Sequence, residues 1–560
     1  MLNKKESIAV VFCICIALLP HADASPVTPP PSANQTQQDK AREASLAPQQ
    51  QEYKSDFTGV IDEKIIFPKE ENCRRINDII IESDNEKLAS KISKKFIVQA
   101  KSHCLGIKGI RLLGETLQNE LIARGYITSL IDIPPQRLDE GILRLILTFG
   151  KIGSIAWATD SDDKSSQLWS ALPTSEGEIL RLPDLEQGMA NLQRTPGTSA
   201  HMQLRPGANI GESDVVITRK ADKSWQVGAW LNDAGSRASG RYQGGGALYL
   251  YNLTRLNDIL YVAAGGDVEF NQKSDGNHNG SLYYSVPYGY WNLSLYASQS
   301  EYLQQFHGRW STTDYESQNH YYSATLSRML SHTQTQKTTA DLRVSKSSSR
   351  YYFGGSEVAV MRKQNPTWDL TLRHQHYFYK KIIDASLGVQ NRLGWLSSTP
   401  TPAEKADLYD SHARVIHADL QALMKFDVTG DLFSYAPHLS AQFSPDKLSS
   451  DNMFNIGNRW SVRGFDGERT LSGSQGWYWS NNFIWDLAGT AHQSYLGIDV
   501  GRITGSERNQ QGKVLSGAVI GLQGNIVQTQ YDFFVGTPLA KPASFHTDSL
   551  NMGFSLQWRY

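Results

Sequence analysis

The sequence offers few side chains in arrangements that are known to carry out catalysis. It contains no His-Glu-x-x-His zinc motif, no glycine-rich loop that ends in Gly-Lys-Ser/Thr and no Gly-x-Ser-x-Gly nucleophile elbow. His374 and His376 are two residues apart in an alternating stretch and therefore share one face of a strand. Two such histidines are more often wall residues than metal ligands. We therefore predict a protein that is not an enzyme and that has no cofactor or metal site.

The four cysteines fall into two pairs that have different fates. Residues 1–24 combine two lysines, an apolar run of about 12 residues and a small-x-small site ending at Ala24, which is typical of a secretory signal peptide. Two cysteines lie in this segment and leave with it. In the oxidising compartment that export implies, we expect Cys73 and Cys104 to form one disulfide. Two buried free thiols are the alternative.

Composition and charge exclude two classes of protein. Lysine and arginine number 55 and aspartate and glutamate 56, so the formal net charge of −1 argues against binding to nucleic acid. The mean hydropathy is −0.42. Beyond residue 20, no apolar run reaches the roughly 18–20 residues that a membrane-spanning helix requires. A polytopic helical membrane protein is therefore excluded, whereas membrane-spanning β-strands are not.

The first half of the mature chain divides into a polar leader and two small modules. Residues 25–60 are polar and have almost no apolar face, which suits either a solvated linker or a polar helix lodged in a water-filled pore. Residues 61–149 predict the order β-α-α-β-β, with short strands near 79–81 and 126–133. Residues 150–220 repeat this order more compactly. Tandem copies of one module are favoured over two unrelated α+β domains.

Residues 221–560 lose helical periodicity and alternate between apolar and polar side chains. The last strand is the clearest case, because six apolar side chains from Leu550 to Tyr560 face one way. Such alternation suits a wall with lipid on one side and water on the other. At roughly 21 residues per strand and turn, we predict a transmembrane β-barrel of about 16 antiparallel strands with an aqueous lumen. A single β-sandwich would be too small.

One carboxylate of this region has unusual neighbours. Asp499 lies between Gly497 and Gly501 on the face that alternation assigns to the lumen. An inward carboxylate flanked by positions without side chains leaves room for a loop tip to approach. Arg463 lies in a stretch punctuated by four glycines, which suits a tight, mobile hairpin. The alternative is that Asp499 is one of many solvated lumenal charges.

Several stretches of the sequence together resemble one family. Arg124, Gly125 and Tyr126, with the residues that follow them, are similar to the first polypeptide-transport-associated (POTRA) domain of two-partner secretion transporters. Residues 185–192 and 211–215 are similar to the second POTRA domain. These transporters are the haemolysin secretion/activation proteins and their filamentous-adhesin and contact-dependent-toxin relatives. The resemblance covers nearly the whole mature chain and assigns a POTRA fold to both modules.

The same resemblance assigns a role to the glycine-punctuated stretch. Val462, Arg463, Gly464 and Phe465 are similar to the signature of the sixth barrel loop, which folds inward in this family. The family therefore implies a salt bridge between Arg463 and Asp499 that positions the loop. It also implies that the polar leader plugs the resting pore as a helix and leaves when a client engages.

The end of the chain resembles a sorting signal. Phe554, Trp558 and Tyr560 alternate along the last strand, in a pattern similar to the one that the barrel-assembly machinery reads during biogenesis. An ordinary last strand is compatible with this interpretation. The resemblance places the barrel, as a monomer surrounded by lipid, in a Gram-negative outer membrane, with both POTRA domains in the periplasm.

The resemblance also implies a function. We predict a pore that recognises and exports a large partner exoprotein with an N-terminal secretion domain. The resemblance also implies activation of that partner during passage. A haemolysin or cytolysin is the first choice. A transporter for a contact-dependent growth-inhibition toxin or a filamentous adhesin, a barrel-assembly factor, and an outer-membrane phospholipase or protease are the alternatives. No cofactor, nucleotide or nucleic acid takes part.

Overall fold

A computed structural model describes the chain in ranges that are separated by gaps. A short helical segment, α1 (residues 41–46), comes first. The described residues are residue 37 and ranges 41–47, 64–237, 240–268, 276–307, 312–333, 335–394, 400–410, 412–487, 489–505 and 513–560. The predicted signal peptide and most of the leader lie outside them.

The first module is a three-stranded sheet packed against two helices. Its middle strand pairs in parallel with the first strand and antiparallel with the third. Phe96, Leu113 and Leu143 from the helices and the middle strand are at most 1% exposed and form the core. The elements are β1 (Arg74–Arg75), β2 (Asp78–Ser83), α2 (Glu86–Ala100), β3 (Cys104–Leu105), α3 (Ile107–Ala123), β4 (Leu130–Asp132) and β5 (Ile142–Thr148).

The second module repeats the sheet order of the first. Its middle strand again pairs in parallel with the first strand and antiparallel with the third. Leu185, Met189 and Val215 are fully buried in its core. Apart from the two-residue strands β1 and β3 of the first module, which pair with each other, the β-α-α-β-β order predicted from the sequence is therefore present twice. The elements are β6 (Lys151–Trp157), α4 (Leu168–Ala171), α5 (Leu182–Leu192), β7 (Thr198–Pro206) and β8 (Glu212–Ala221).

Two strands of the first module differ from the prediction. The isoleucine run 79–81 is not a buried strand, because β2 lies at the edge of the sheet and only Ile79 is buried. The segment 126–133 is strand only at Leu130–Asp132. Tyr126 accepts a turn hydrogen bond from the backbone of Ser129 and packs its ring edge-on against Phe149. Core packing of an aromatic side chain here replaces sheet pairing.

Within the described residues, sixteen long strands and one two-residue strand close into an antiparallel barrel, as predicted. Its strands are β9 (Trp225–Asn232), β10 (Gln243–Tyr251), β11 (Ile259–Asp267), β12 (Gly276–Tyr288), β13 (Trp291–His307), β14 (Thr312–His332), β15 (Gln336–Phe353), β16 (Ser356–Glu357), β17 (Lys363–Phe378), β18 (Lys381–Arg392), β19 (Arg414–Val428), β20 (Asp431–Phe443), β23 (Gln475–Asp486), β24 (His492–Thr504), β25 (Lys513–Ile526), β26 (Thr529–Ala540) and β27 (Asn551–Arg559).

Further short elements lie in the connections between these strands. They are 3-10 helices at Ala359–Met361 and Ser450–Asn452, α6 (Pro402–Lys405), β21 (Phe454–Ile456) and β22 (Leu471–Gly473).

The barrel wall has an apolar outer face and closes at a short seam. Leu496 and Ile498 of β24 are 46% and 45% exposed, whereas Asp499 of the same strand is 1% exposed. The two apolar side chains therefore face the surroundings and Asp499 faces inward. The ring closes where β9 pairs with β27 over five residue pairs, from Gly228 with Arg559 to Asn232 with Ser555. We call this pairing the seam.

No helix among the described residues is long enough and apolar enough to cross a membrane.

Candidate functional site

The connection between β20 and β23, residues 444–474, folds back into the barrel, and we call it the inner loop. Val462 and Phe465 of this loop are 0% and 1% exposed. They pack in a small apolar cluster with Leu515 of β25 and with Phe545. Burial of these side chains holds the loop against the inside of the wall.

Arg463 of the inner loop binds Asp499 of β24, the pair that family resemblance implies. Its Nε lies 2.7 Å from Oδ2 and its Nη2 lies 2.8 Å from Oδ1, so that the guanidinium grips the carboxylate with two parallel bonds. The backbone N–H of Arg463 also donates to Oδ2 at 2.9 Å. The side chains are 15% and 0% exposed. The loop tip is therefore fixed by both its side chain and its backbone.

Glycines on the wall allow this close approach. A β-carbon at Gly497 would lie 2.6 Å from Nη2 of Arg463, and one at Gly517 would overlap the Arg463 carbonyl oxygen. Gly464, next in the loop, has a φ of +95°, a conformation that residues with side chains rarely adopt. The space beside Asp499 that the sequence predicted is thus filled by the loop backbone and the guanidinium.

A second anchor of the inner loop, which sequence reasoning missed, lies at the seam. Asp233, directly after β9, forms an ion pair with Arg459 of the inner loop, and its side chain is 4% exposed. The same carboxylate accepts a hydrogen bond from the backbone N–H of Phe554 in β27 at 2.8 Å. Arg241 lies 3.4 Å from its other oxygen. Asp233 therefore joins the loop to the first and last strands of the barrel.

An exposed set of ion pairs surrounds this anchor at the same end of the barrel. The backbone N–H of Arg237 donates to Glu468 of the inner loop at 2.8 Å, and its guanidinium pairs with Asp548, which lies between β26 and β27. The side chains of Arg237 and Asp548 are 50% and 48% exposed. Water competes with such pairs, so we expect them to contribute much less than the buried anchors.

The helical segment α1 lies inside the lumen. Leu46 is 5% exposed and packs in a cluster of lumenal tyrosines. Its carbonyl oxygen accepts a hydrogen bond from Tyr249 at 3.0 Å, and the carbonyl of Ser45 accepts one from Arg559 at 2.9 Å. Asn458 of the inner loop donates to Gln37 at 2.7 Å. Part of the leader thus contacts the wall and the inner loop together.

Arg124, Gly125 and Tyr126 lie at the joint between the two modules. The carbonyl oxygen of Gly125 accepts a hydrogen bond at 2.8 Å from the backbone of Leu182, where α5 begins. Gly125 has a φ of +90°, and a β-carbon there would lie 2.5 Å from a ring carbon of Pro183. A glycine is therefore required for this close contact between modules.

Cys73 and Cys104 form the predicted disulfide, with their Cα atoms 5.3 Å apart. Glu70 reinforces this link, because its carboxylate accepts hydrogen bonds from the backbone N–H groups of Gly106, Lys108 and Gly109 at 2.8–3.0 Å. These donors begin α3, whose N-cap, Gly106, has no side chain to cap the helix. The Glu70 carboxylate, from a distant segment, therefore caps the N-terminus of α3 instead.

Glu70 predicts a pH dependence for the first module. Desolvation acts to raise the pKa of the Glu70 carboxyl, but the three N–H donors outweigh it and lower that pKa below its ordinary value. Stability from such a group is present above the unfolded pKa and is lost as pH falls through the folded pKa. We expect Glu70→Ala to reduce the hydrogen-exchange protection of the amides of Gly106, Lys108 and Gly109 at neutral pH.

The difference between this variant and the unaltered protein should shrink as pH falls through the folded pKa of Glu70. Glu71→Ala removes the neighbouring exposed carboxylate and is the matched control, which should leave the protection unchanged. Equal protection of the three amides in both variants at neutral pH would contradict the capping role.

The remaining predicted residues lie on the outside of the wall. The rings of Trp558 and Tyr560 stack with centroids 6.2 Å apart, and Lys223 lies 3.8 Å above the Tyr560 ring. Phe554 packs beside Phe533 of the neighbouring strand. These aromatic side chains form a band along the last strand, and their recognition by an assembly machinery stays a prediction.

The two histidines of β17 contact other wall residues. His374 and His376 have ring centroids 6.0 Å apart, and His374 pairs with the hydroxyl of Thr338 at 2.9 Å. In the part of the chain that the structure describes, no group of three or more His, Cys, Asp or Glu side chains could hold a metal ion.

Taken together, a closed barrel with a loop and a helix in its lumen, preceded by two α/β modules, defines the class of POTRA-containing outer-membrane β-barrel transporters. Comparison with known proteins agrees. The profile of the haemolysin secretion/activation proteins ShlB/FhaC/HecB matches residues 211–524. A ShlB-type POTRA profile matches residues 75–150, and a second POTRA profile matches 151–206. The chain therefore belongs to the ShlB/FhaC/HecB family of two-partner secretion transporters, with its barrel in the outer membrane and its POTRA domains in the periplasm.

Individual relatives match over most of their length. The chain is 32% identical to the outer membrane transporter CdiB-2 of Burkholderia pseudomallei, covering 88% of this chain and 87% of the relative. It is 23% identical to the hemolysin transporter protein HpmB of Proteus mirabilis, covering 83% and 88%. The structure of CdiB from Acinetobacter baumannii is 25% identical, with a TM-score of 0.83, and covers 96% of this chain and 100% of that chain.

Proposed function

We propose that this transporter exports a contact-dependent growth-inhibition toxin. The observation that carries the proposal is the likeness to CdiB-2, which extends over 522 residues at 32% identity. Two haemolysin transporters that also match, HpmB and ShlB, are 23% and 25% identical. This difference favours the toxin, which the sequence left as an alternative, over the haemolysin that it put first.

Capture of the client is assigned to the two POTRA domains. Each sheet has outer strands, and β7 is a nine-residue example. An unfolded client can add itself as a further strand to such an edge through main-chain hydrogen bonds. These bonds demand little of the client's sequence, which suits an elongated, repetitive β-rich protein. The client then lies directly below the lumen.

Passage through the lumen requires the inner loop and α1 to move. Both are held by polar contacts, chiefly those of Arg463, Arg459 and Tyr249, and by the apolar packing described above. We propose that client engagement displaces α1 and then the loop. Folding of the client outside the cell supplies the bias, so that no nucleotide or cofactor is needed.

The proposal can be tested in a Gram-negative host that lacks its own system of this kind. The transporter would be co-expressed with a candidate large exoprotein that carries an N-terminal secretion domain. We expect the exoprotein to appear on the cell surface and these cells to inhibit the growth of neighbouring cells without the matching immunity protein. Deletion of residues 61–220 should abolish surface display and leave a barrel whose gel mobility still changes on heating.

Two other outcomes would contradict parts of this proposal, the first its client and the second its mechanism of capture. Lysis of erythrocytes without growth inhibition would restore the haemolysin interpretation. Normal surface display after deletion of residues 61–220 would remove the POTRA domains from the mechanism.

A further inference from the structure

Four tyrosines form a row across the inside of the barrel wall. Tyr249 of β10 pairs directly with Tyr261 of β11, Tyr261 with Tyr283 of β12, and Tyr283 with Tyr296 of β13. The ring centroid of Tyr261 lies 5.6 Å from that of Tyr249 and 5.1 Å from that of Tyr283. Tyr321 of β14 extends the row, at 6.0 Å from Tyr296. We call Tyr249, Tyr261, Tyr283 and Tyr296 the tyrosine row.

The tyrosine row faces the lumen. The next residues along the strands, Leu248, Val262, Leu282 and Leu295, are 42–50% exposed on the outer face. Successive side chains of a strand point to opposite faces, so the tyrosines point inward. At a strand spacing of about 4.8 Å, four of them span about 14 Å of the wall. An aromatic band of this width is unusual in a lumen, where polar side chains are the rule.

The row already holds a piece of polypeptide. Leu46 of α1 packs on it, and the hydroxyl of Tyr249 donates to the Leu46 carbonyl oxygen at 3.0 Å. The hydroxyl of Tyr261 is buried and has no hydrogen-bond partner among the described residues. The row therefore offers ring faces to an apolar side chain and hydroxyls to a main-chain carbonyl. Any unfolded chain can supply both groups.

The row begins next to the second POTRA domain. Arg194, which follows α5, is buried, and its Nη2 donates to the hydroxyl of Ser285 at 2.8 Å. Ser285 lies two residues from Tyr283 on the same face of β12. Asn191 of α5 also donates to the carbonyl oxygen of Gly289, in the turn that follows β12, at 2.8 Å. A chain that leaves this domain therefore meets the tyrosine row first.

We propose that the tyrosine row is the first lumenal binding surface for an extended segment of the exported polypeptide, and that α1 occupies it until that segment replaces it. The proposal rests on the proposed function, because it requires a polypeptide client. Each contact is weak and tolerant of sequence, which suits a surface that a moving chain must also leave. The leader thus holds the place of the client.

The test uses the full-length transporter co-expressed with the same exoprotein. We expect Tyr261→Ser with Tyr283→Ser to lower export about tenfold, which corresponds to about 1.4 kcal/mol. The phenylalanine pair, Tyr261→Phe with Tyr283→Phe, keeps the rings and should retain most of the export. The matched control is Tyr315→Ser with Tyr351→Ser, a buried pair near the opposite end of the barrel, which should export normally.

A photo-crosslinking residue keeps the proposal testable if the serine variants fold poorly. A stably folded domain fused to the C-terminus of the exoprotein would stall it in the pore. A crosslinker at position 283 should then link to the stalled exoprotein. When no client is present, it should link to the leader. Placed at position 351, it should not link to the leader.

Each result separates the two proposals. If the unaltered transporter exports nothing, the proposed function is wrong and this inference falls with it. If the unaltered transporter exports but the Tyr261/Tyr283 serine variant folds and exports equally well, only the tyrosine row is wrong. Crosslinks at position 283 to the leader but never to the stalled exoprotein would likewise reject the row as a client surface.

Discussion

Replacing Arg463 with alanine is expected to block export while the barrel still assembles and inserts. The guanidinium makes two bonds to a carboxylate that is inaccessible to solvent. Loss of one partner of such a pair costs about 3–5 kcal/mol in a dry interior, because the other charge is left buried without compensation. Water in the lumen reduces this cost. Even 1.4 kcal/mol would lower the occupancy of the docked loop about tenfold relative to undocked states.

The loop rather than the wall should carry this effect. Barrel strands on both sides of Asp499 keep their ladders in the variant, so the heat-dependent shift in gel mobility should survive. We expect surface display of the client to fall at least about tenfold, in line with the loss of loop docking. The measurement is the amount of exoprotein at the cell surface, normalised to the amount of folded transporter.

Three further variants make this result specific. Asp499→Asn removes the other charge and should match Arg463→Ala, and the double variant should be no worse than either. Gly517→Ala should act in the same direction, because its β-carbon overlaps the Arg463 carbonyl oxygen. Arg502→Ala is the control, because it removes an exposed arginine from β24, the strand that carries Asp499. This variant should export normally. Normal export by Arg463→Ala would remove the inner loop from the mechanism.

Replacing Asp233 with alanine is expected to weaken the closed barrel itself. Its carboxylate is 4% exposed and binds Arg459, Arg241 and the backbone of Phe554. The variant leaves the Arg459 guanidinium without its carboxylate partner and removes a hydrogen bond to β27 beside a seam of only five residue pairs. We expect the temperature at which the folded band disappears from semi-native gels to fall clearly, because loss of one partner of a buried ion pair destabilises the folded state.

The exposed ion pair at the same end of the barrel provides the control. Asp548→Ala breaks the ion pair with Arg237. The side chains of Arg237 and Asp548 are 50% and 48% exposed. Such pairs contribute about 0–1 kcal/mol, so the transition temperature should change little. An equal loss of stability in the two variants would mean that charge removal in general, rather than the seam anchor, causes the effect.

The sequence predicts those parts of this molecule that follow from local periodicity. Alternation along β24 was enough to place Asp499 in the lumen between two glycines, and the glycines around Arg463 indicated a tight loop. The number of strands followed from length alone. Family resemblance then supplied the pairing of the two charges, which no local pattern contains.

The parts that were missed depend on contacts between distant segments. Asp233 and Arg459 are 226 positions apart, and the residues around each of them give no sign that the two form a pair. Glu70 caps a helix that begins more than thirty positions later in the chain. Alternation puts each tyrosine of the row on the lumenal face, but only the strand register makes them neighbours. The isoleucine run in β2 indicated burial, although the strand lies at a sheet edge.

The seam has a consequence for how the molecule is made. Arg459 reaches the carboxylate of Asp233 at the end of the first strand and lies 3.5 Å from the carbonyl oxygen of Phe554 in the last. A segment that touches both free margins of an unfinished cylinder cannot take its final place before those margins meet. We therefore expect joining of the two terminal strands and seating of residues 444–474 to be one concerted event, the last in biogenesis.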